Sequence, residues 1–396
     1  MLLNKKRAEK VLDKYGLDAI VATTPENIAY LSDFRALTNQ YLRSALFVIY
    51  PRDEQPTLIL PIGETSDLYA YGMTWIRDVR AYGDFNISVP DVDIEDWERE
   101  VAKLLRQERE ASACVVLSKT LDEKGLGTGR IGIDENGFFG RDWTKLESTL
   151  RGAHVTPAAD IFREIRMIKT EEEISRLKQA YEITEKGIKA VWEIAKPGTP
   201  AERLAQAFSS TVATQGALPI APSISIGKES YLQNNFTPAP KRLEEGDLLR
   251  FDVLCNYKYY FTDLGRNAVV GRATDQQKKL HHAVYAGEQE VIQHIRPGER
   301  ISELFRIGVE AVRREGIPHF KRHHCGHSIG LEVYDPPVIT AASQSVVEEG
   351  MILVIETPYY EMGAGGFMVE DTVLVSKNGC EYITTLDREL HVTGSR

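Results

Sequence analysis

The chain has 396 residues, 42% apolar and 27% charged, an ordinary soluble composition with room for two domains at about 150 residues or more each. A net charge of −10 opposes the basic, counterion-releasing surface that nucleic acid requires, so no nucleic-acid partner is expected. Apolar runs are no longer than a strand, and MLLNKKRAEK leads straight into an amphipathic helix; neither a membrane span nor an export signal is expected, and the location expected is cytoplasmic.

In chain order, residues 5–15 read as a helix, 18–23 (DAIVAT) as a buried strand, and NIAYL as helical; strands follow at 45–50 and 57–61. A charged amphipathic helix at 97–110 and a short strand at 129–134 (GRIGID) continue this α/β alternation, and the first domain is placed at 1–160. The second, 161–396, opens with a long helix started by Thr170 and the EEE after it, and stopped by Pro197-Gly198. A helix at 200–215 precedes a strand-rich block at 220–270. The order then repeats, with helices at 275–294 and 301–315 and strands to about 385. Cys114, Cys255, Cys325 and Cys380 are widely spaced, as in a reduced cytosolic enzyme. Cys255 and Cys325 are read as small buried side chains, not as ligands.

The segment LLRFDVLCNYKYYFTDLGRNAVVG is strand-like on both sides of Tyr257-Lys258, with Asp252 and Asp263 equidistant from that midpoint. A symmetric hairpin would set the two carboxylates directly opposite, about 5 Å apart, where like charges repel unless a cation lies between them. A second hairpin, MILVIETPYY–EMGAGG–FMVEDTVLV, buries Glu356 and Glu370 in apolar runs with few cations in the nearby sequence. Between the hairpins lie three clustered histidines, His323, His324 and His327. Four strand-borne carboxylates and a histidine in a duplicated layout point to metal.

These motifs resemble the creatinase and Xaa-Pro peptidase family with the pita-bread fold, which also holds prolidases and methionine aminopeptidases. LDAIVATTPENIAYLSDF is similar to the opening of its N-terminal domain, and REIRMIKTEEEISRLKQAYEITEKGIKAV to the first helix of its catalytic domain. The metal motifs are Asp252 after GD, Asp263 eleven residues on, HCGHSIGLEV, EEGMILVIE and VEDTVLV. The resemblance implies an α/β creatinase-like domain followed by an α+β pita-bread domain with a pseudo-twofold repeat of helices and hairpins. It also implies two divalent ions, Mn first, with Co, Fe or Zn as alternatives. Asp252 would hold one ion, His327 and Glu356 the other, and Asp263 and Glu370 would bridge. Glu356 would also carry a proton to the leaving nitrogen. A homodimer acting on a small peptide or amide is expected.

The chain departs from the family around this centre. Asn235 and Tyr334 stand where family peptidases carry histidine, Met368 where they carry arginine, and Glu356-Thr357-Pro358 where EPG is usual; His323 and the aromatic Tyr360 are kept. His323 and Tyr334 are expected to join Glu356 in catalysis, and Asn235 and Tyr360 to touch substrate. The leading expectation is hydrolysis of a C–N bond, of Xaa-Pro type. The alternatives are a non-peptide hydrolase, a lyase using Tyr334 or Asp335 as base, and an inactive binding module, which would have had no reason to keep five ligands.

Overall fold

The computed structural model describes residues 1–89, 91–138, 140–150, 152–232 and 240–394, and the chain forms two compact units, Met1–Arg166 and Met167–Arg396. The first unit contains a six-stranded sheet of β1 (Ala19–Ala22), β2 (Phe47–Pro51), β3 (Thr57–Pro61), β4 (Asp78–Tyr82), β5 (Arg130–Ile133) and β6 (His154–Pro157), in the order β4-β3-β2-β1-β5-β6. Strands β1 and β2 are buried throughout, as a sheet covered by helices demands. The helix Ala113–Glu123, outside the elements read from sequence, packs Val116, Leu117 and Leu121 against Val21, Phe47 and Ile131. Its Cys-Val-Val-Leu run favours a strand by propensity, and packing at helical spacing overrides it.

In the second unit the long helix Glu171–Ile194 begins with the expected cap: the Thr170 side chain accepts from the Glu173 N–H, and Glu173 accepts from the Thr170 N–H. With Ala201–Thr214 it forms one helix pair; Asp275–His294 and Ile301–Arg314 form the second. The strands are β7 (Leu218–Ile226), β8 (Leu248–Tyr257), β9 (Tyr260–Phe261), β10 (Leu264–Val270), β11 (Gly326–Ser328), β12 (Asp335–Val338), β13 (Ile352–Glu356), β14 (Tyr359–Glu361), β15 (Gly365–Phe367), β16 (Glu370–Ser376), β17 (Gly379–Tyr382) and β18 (His391–Thr393). The main sheet runs β12-β11-β13-β16-β10-β8-β7, so the hairpins β8–β10 and β13–β16 meet at its middle as the repeat requires.

One expectation about register is corrected. The hairpin turns at Lys258-Tyr259, not about a midpoint between Tyr257 and Lys258, and both turn residues have positive φ, 48° and 78°, as a two-residue primed turn requires even without glycine. Asp252 therefore faces Gly265. Asp263 lies two residues before that partner, so the carboxylates are diagonal neighbours.

The seam between the hairpins β8–β10 and β13–β16 carries little backbone ladder: Gly265 and Glu370 are its one registered pair among the described residues. Side chains reinforce it. Arg266, fully buried, donates from Nη1 to the carbonyls of Gly265 and Glu370, both at 2.8 Å, and from Nη2 to Asp371 Oδ1 at 2.8 Å. Asn267 Oδ1 accepts from the Met368 N–H, and its Nδ2 donates to the Gly366 carbonyl. Arg266→Met removes the guanidinium and leaves the buried Asp371 with Arg388 as its remaining ion-pair partner among the described residues. An unfolding free energy lower by about 3–5 kcal/mol is expected in urea titration; a loss under about 1 kcal/mol would show that the seam is held by other contacts.

Candidate metal centre

Cross-strand pairing aligns the acidic residues in one row. Asp252 on β8 pairs with Gly265 on β10, Gly265 with Glu370 on β16, and Glu370 with Glu356 on β13. Directly paired residues share a face of the sheet. Gly265 is needed in that row, because a Cβ there would meet Met368 Cγ at 2.7 Å and Glu370 Cβ at 2.9 Å. His327 on β11 pairs with Val354, two residues before Glu356.

Strand β11 lies three strands from β10, about 14 Å across a flat sheet, yet His327 Nε2 is 3.7 Å from Asp263 Oδ2. The sheet therefore curls around the acidic row. Asp263 sits where the ladder is broken, and Tyr181 replaces it: the Tyr181 hydroxyl accepts from the Asp263 N–H at 3.2 Å and donates to the Asp263 carbonyl at 3.3 Å.

Three of these groups have buried polar atoms with no protein partner. Asp263 Oδ1, His327 Nε2 and Glu370 Oε2 make no hydrogen bond, and the three residues offer ligand atoms that all lie within 4.8 Å of one another. The His327 ring donates from Nδ1 to the Ser328 carbonyl at 2.9 Å, which leaves the Nε2 lone pair turned into the cluster, the tautomer a metal ligand needs. Hydrogen-bond donors and acceptors in a protein interior are ordinarily satisfied, so this trio fits a divalent cation. Glu356 lies beside it, 4% exposed, whereas the side chain of Asp252 is 24% exposed at the mouth.

Burial pushes Glu356 up to about 7 against the pull of Arg322 and His327. Burial, and then the neighbouring carboxylates, push Glu370 well above the usual range; burial also raises Asp263, against the pull of the neighbouring His327 ring. For His327, burial lowers the pKa, but the Asp263 contact wins and the net shift is upward.

The sequence reading expected few cations nearby, and that is corrected. Arg250, fully buried, donates from Nη1 to Asp252 Oδ2 at 2.7 Å and also reaches the carbonyls of Ser230 and Leu232. Its Nη1 is 3.9 Å from Met368 Sδ, so a guanidinium from β8 occupies the neighbourhood where the family places one at position 368. An arginine inside LLRFD, two residues from a carboxylate, was the available signal. Arg322 Nη2 is 3.4 Å from Glu356 Oε2, and His324 Nδ1 is 3.2 Å from Glu356 Oε1.

The remaining expected residues are placed as follows. His323 is exposed, its ring 4.3 Å from that of His324, and the direct contact with Glu356 belongs to His324. Tyr334 stacks on His327, centroids 3.7 Å apart and planes 17° apart, with about half its surface exposed. The Tyr360 ring is approached by both the Arg250 and Arg322 guanidiniums, at 5.4 and 5.7 Å. Asn235 lies outside the described residues. Cys255 and Cys325 contact Thr184 and the Phe305 carbonyl, away from the ligand atoms.

Comparison with known proteins places this geometry in context. The profile of metallopeptidase family M24 matches residues 158–377, and that of the creatinase/prolidase N-terminal domain matches 5–168. The chain is 28% identical over 393 residues to a Xaa-Pro dipeptidase of Pyrococcus horikoshii, covering 97% of both chains. It is 32% identical over 233 residues to that of Pyrococcus furiosus, 58% of this chain and 67% of the relative. The crystal structure of the prolidase from Pyrococcus horikoshii superposes with a TM-score of 0.77 at 25% identity, covering 98% of this chain and 99% of that one. A Xaa-Pro dipeptidase from Bacillus anthracis shares the fold, with a TM-score of 0.81 at 21% identity and 98% coverage of each.

In the metal-free protein the folded-state pKa values of Glu356, Glu370 and Asp263 lie above the unfolded ones, so folding takes up protons. The share of Glu356 is complete below about pH 4 and is lost as pH rises through about 7, and the shares of Glu370 and Asp263 are lost in the same direction. Chelator-treated protein is expected to melt at lower temperature as pH rises from about 5 to 7, and excess divalent metal to reverse the loss. Equal melting temperatures across that window would mean that the carboxylates are compensated without a cation.

Proposed function

The chain belongs to metallopeptidase family M24, and from that premise we propose that it is a dipeptidase of Xaa-Pro type whose metal is held by Asp263, His327 and Glu370, with Asp252 and Glu356 completing the set. Metal-dependent hydrolysis of a peptide bond is the family's chemistry; the proline preference rests on the full-length relatives that carry the name Xaa-Pro dipeptidase. The observation that carries the ligand assignment is that Asp263, His327 and Glu370 each offer a ligand atom within 4.8 Å of the others, and that each has a buried side-chain atom that makes no hydrogen bond.

Asp263, His327 and Glu370 would hold a divalent ion, which when bound would supply Lewis-acid polarisation of a carbonyl and lower the pKa of a water toward neutral pH. The protein's own contribution is to fix the groups around it. Tyr181 holds the Asp263 backbone, Arg250 holds the Asp252 carboxylate, and the Ser328 carbonyl sets the His327 tautomer. Glu356, oriented by His324 and Arg322, is the group to carry a proton to the leaving nitrogen. Manganese, a homodimeric state and a cytoplasmic location belong to this same reading; the wide spacing of the four cysteines along the chain supports the reducing compartment.

A non-peptide amide is the second reading, favoured by Tyr334 lying flat on His327 where the family has a histidine. The lyase alternative loses one of its two bases, because Asp335 is buried and ion-paired with Lys169 at 3.7 Å.

Mn- or Co-loaded protein is expected to cleave Xaa-Pro dipeptides faster than small amides or lactams, and Asp263→Asn to lose both bound metal and more than about 100-fold of the activity, beyond what changes outside the ligand set produce. Absence of turnover on every proline dipeptide would sink the dipeptidase reading; full activity in Asp263→Asn would refute the ligand set.

A further inference from the structure

Two residues before the helix Glu171–Ile194 the chain buries a lysine. The Lys169 side chain is 0% exposed and stands at the positive end of the helix dipole, which disfavours a cation. Taking an ammonium out of water is costly, and pairing it with a buried carboxylate recovers little net stability. The place of this charge therefore has a geometric reason. Two carboxylates face it. Glu173, on the first turn of the same helix, accepts from the Thr170 N–H at 2.8 Å and from the Tyr260 hydroxyl at 3.1 Å, and burial pushes it up to about 7 against the pull of Lys169. Asp335, the first residue of β12, is 1% exposed and lies 3.7 Å from Lys169 Nζ.

The pair sits under the loop 329–334, which joins β11, the strand of His327, to β12. Gly330 leaves room for it: a Cβ there would meet Asp335 Oδ2 at 2.8 Å and Lys169 Nζ at 3.2 Å. The backbone is pinned on both sides. The Lys169 N–H donates to the Gly350 carbonyl at 3.0 Å, and the Gly330 carbonyl accepts from the Phe261 N–H at 2.9 Å. Adjacent side chains of an extended chain point to opposite faces. Asp335 is accordingly buried, while Tyr334 before it is half-exposed and lies flat on His327, its ring also meeting that of His324 edge-on at 5.8 Å. The His327 imidazole is thus held by two contacts, the Ser328 carbonyl at Nδ1 and Tyr334 across its face.

We propose that Lys169 is a positioning residue: acting through Asp335, it holds Tyr334 flat on His327 and so fixes the plane of that imidazole. The consequence for metal binding rests on the reading of His327 as a ligand, because a ring fixed in plane keeps the Nε2 lone pair aimed into the cluster. Glu173 is the competing partner, and a lysine that served only to compensate Glu173 would leave Tyr334 indifferent to Asp335.

The stack is read by NMR in metal-free protein labelled at histidine. Ring protons of His327 lying against the Tyr334 face are shifted upfield, and Tyr334→Leu identifies their signal by removing the shift. His391, stacked on Trp192 at 3.9 Å, gives a second upfield signal elsewhere in the same unit and reports that the fold is intact. Lys169→Met and Asp335→Asn are expected to abolish the His327 shift and keep that of His391. Asp335→Asn preserves the side-chain shape and leaves Lys169 with Glu173, so it decides the matter even where Lys169→Met does not fold. Glu173→Gln is expected to keep both signals. Zinc binding to the same proteins, measured by competition with a chromogenic chelator, is expected to weaken about tenfold in Asp335→Asn and to be unchanged in Glu173→Gln. A His327 shift that survives Asp335→Asn, or one that Glu173→Gln removes as fully, overturns the positioning role, as does a lost shift with unaltered zinc affinity. Wild-type protein that binds no zinc yet shows the Asp335-dependent shift removes the ligand reading and leaves the positioning role standing.

Discussion

Repulsion among carboxylates is the constraint around which the second unit is arranged. Asp252, Glu370 and Glu356 lie in one row across four strands, with Gly265 as the only residue of that row lacking a side chain. Two unit charges about 5 Å apart repel by roughly 3 kcal/mol at an effective dielectric near 20. A neutral hydrogen bond contributes only about 1 kcal/mol net, so protein donors of that kind cannot hold the row ionised. A cation, or protons, must do so, and the raised pKa values of Glu356 and Glu370 express the second solution in the metal-free chain.

The surrounding architecture offsets that repulsion without quenching it. Arg250 neutralises Asp252 at the mouth, and Arg266 and Arg388 neutralise Asp371 on the side of Glu370 away from the cluster. Neither Arg250 nor Arg266, both fully buried, makes a hydrogen bond to the side chains of Asp263, His327 or Glu370, which stay available for an ion. Glycine at 265 lets β10 and β16 approach closely enough for the sheet to curl, and the curl brings His327 from three strands away into contact with Asp263. Charge distribution and backbone shape thus converge on the same few atoms.

Much of this was legible in the residues. Thr170 with Glu173, the helix pairs, the two hairpins and the acidic positions inside them follow from periodicity and capping, because these are local effects. The register of the first hairpin was not legible. Symmetry about Tyr257-Lys258 was a reasonable guess, but the turn selects Lys258-Tyr259, two residues whose positive φ no propensity would forecast. Long-range donors were hidden for another reason: Tyr181 reaches Asp263 from a helix 82 positions earlier, and Arg322 and His324 meet Glu356 only after folding. Arg250 was visible as a charge in an apolar strand, and its burial should have marked it as part of the centre.

The thin seam between the halves has a consequence for time as well as for energy. One hairpin supplies Asp252 and Asp263, the other Glu356 and Glu370, and among the described residues the two meet through a single registered backbone pair and a few side chains. An ion held by both hairpins spans that seam, so its escape requires the halves to part or the ligands to be released one by one. By the first route, retention of an ion in the presence of a chelator would follow the opening rate of the seam, and Arg266, which lies outside the ligand set, would set how long it stays.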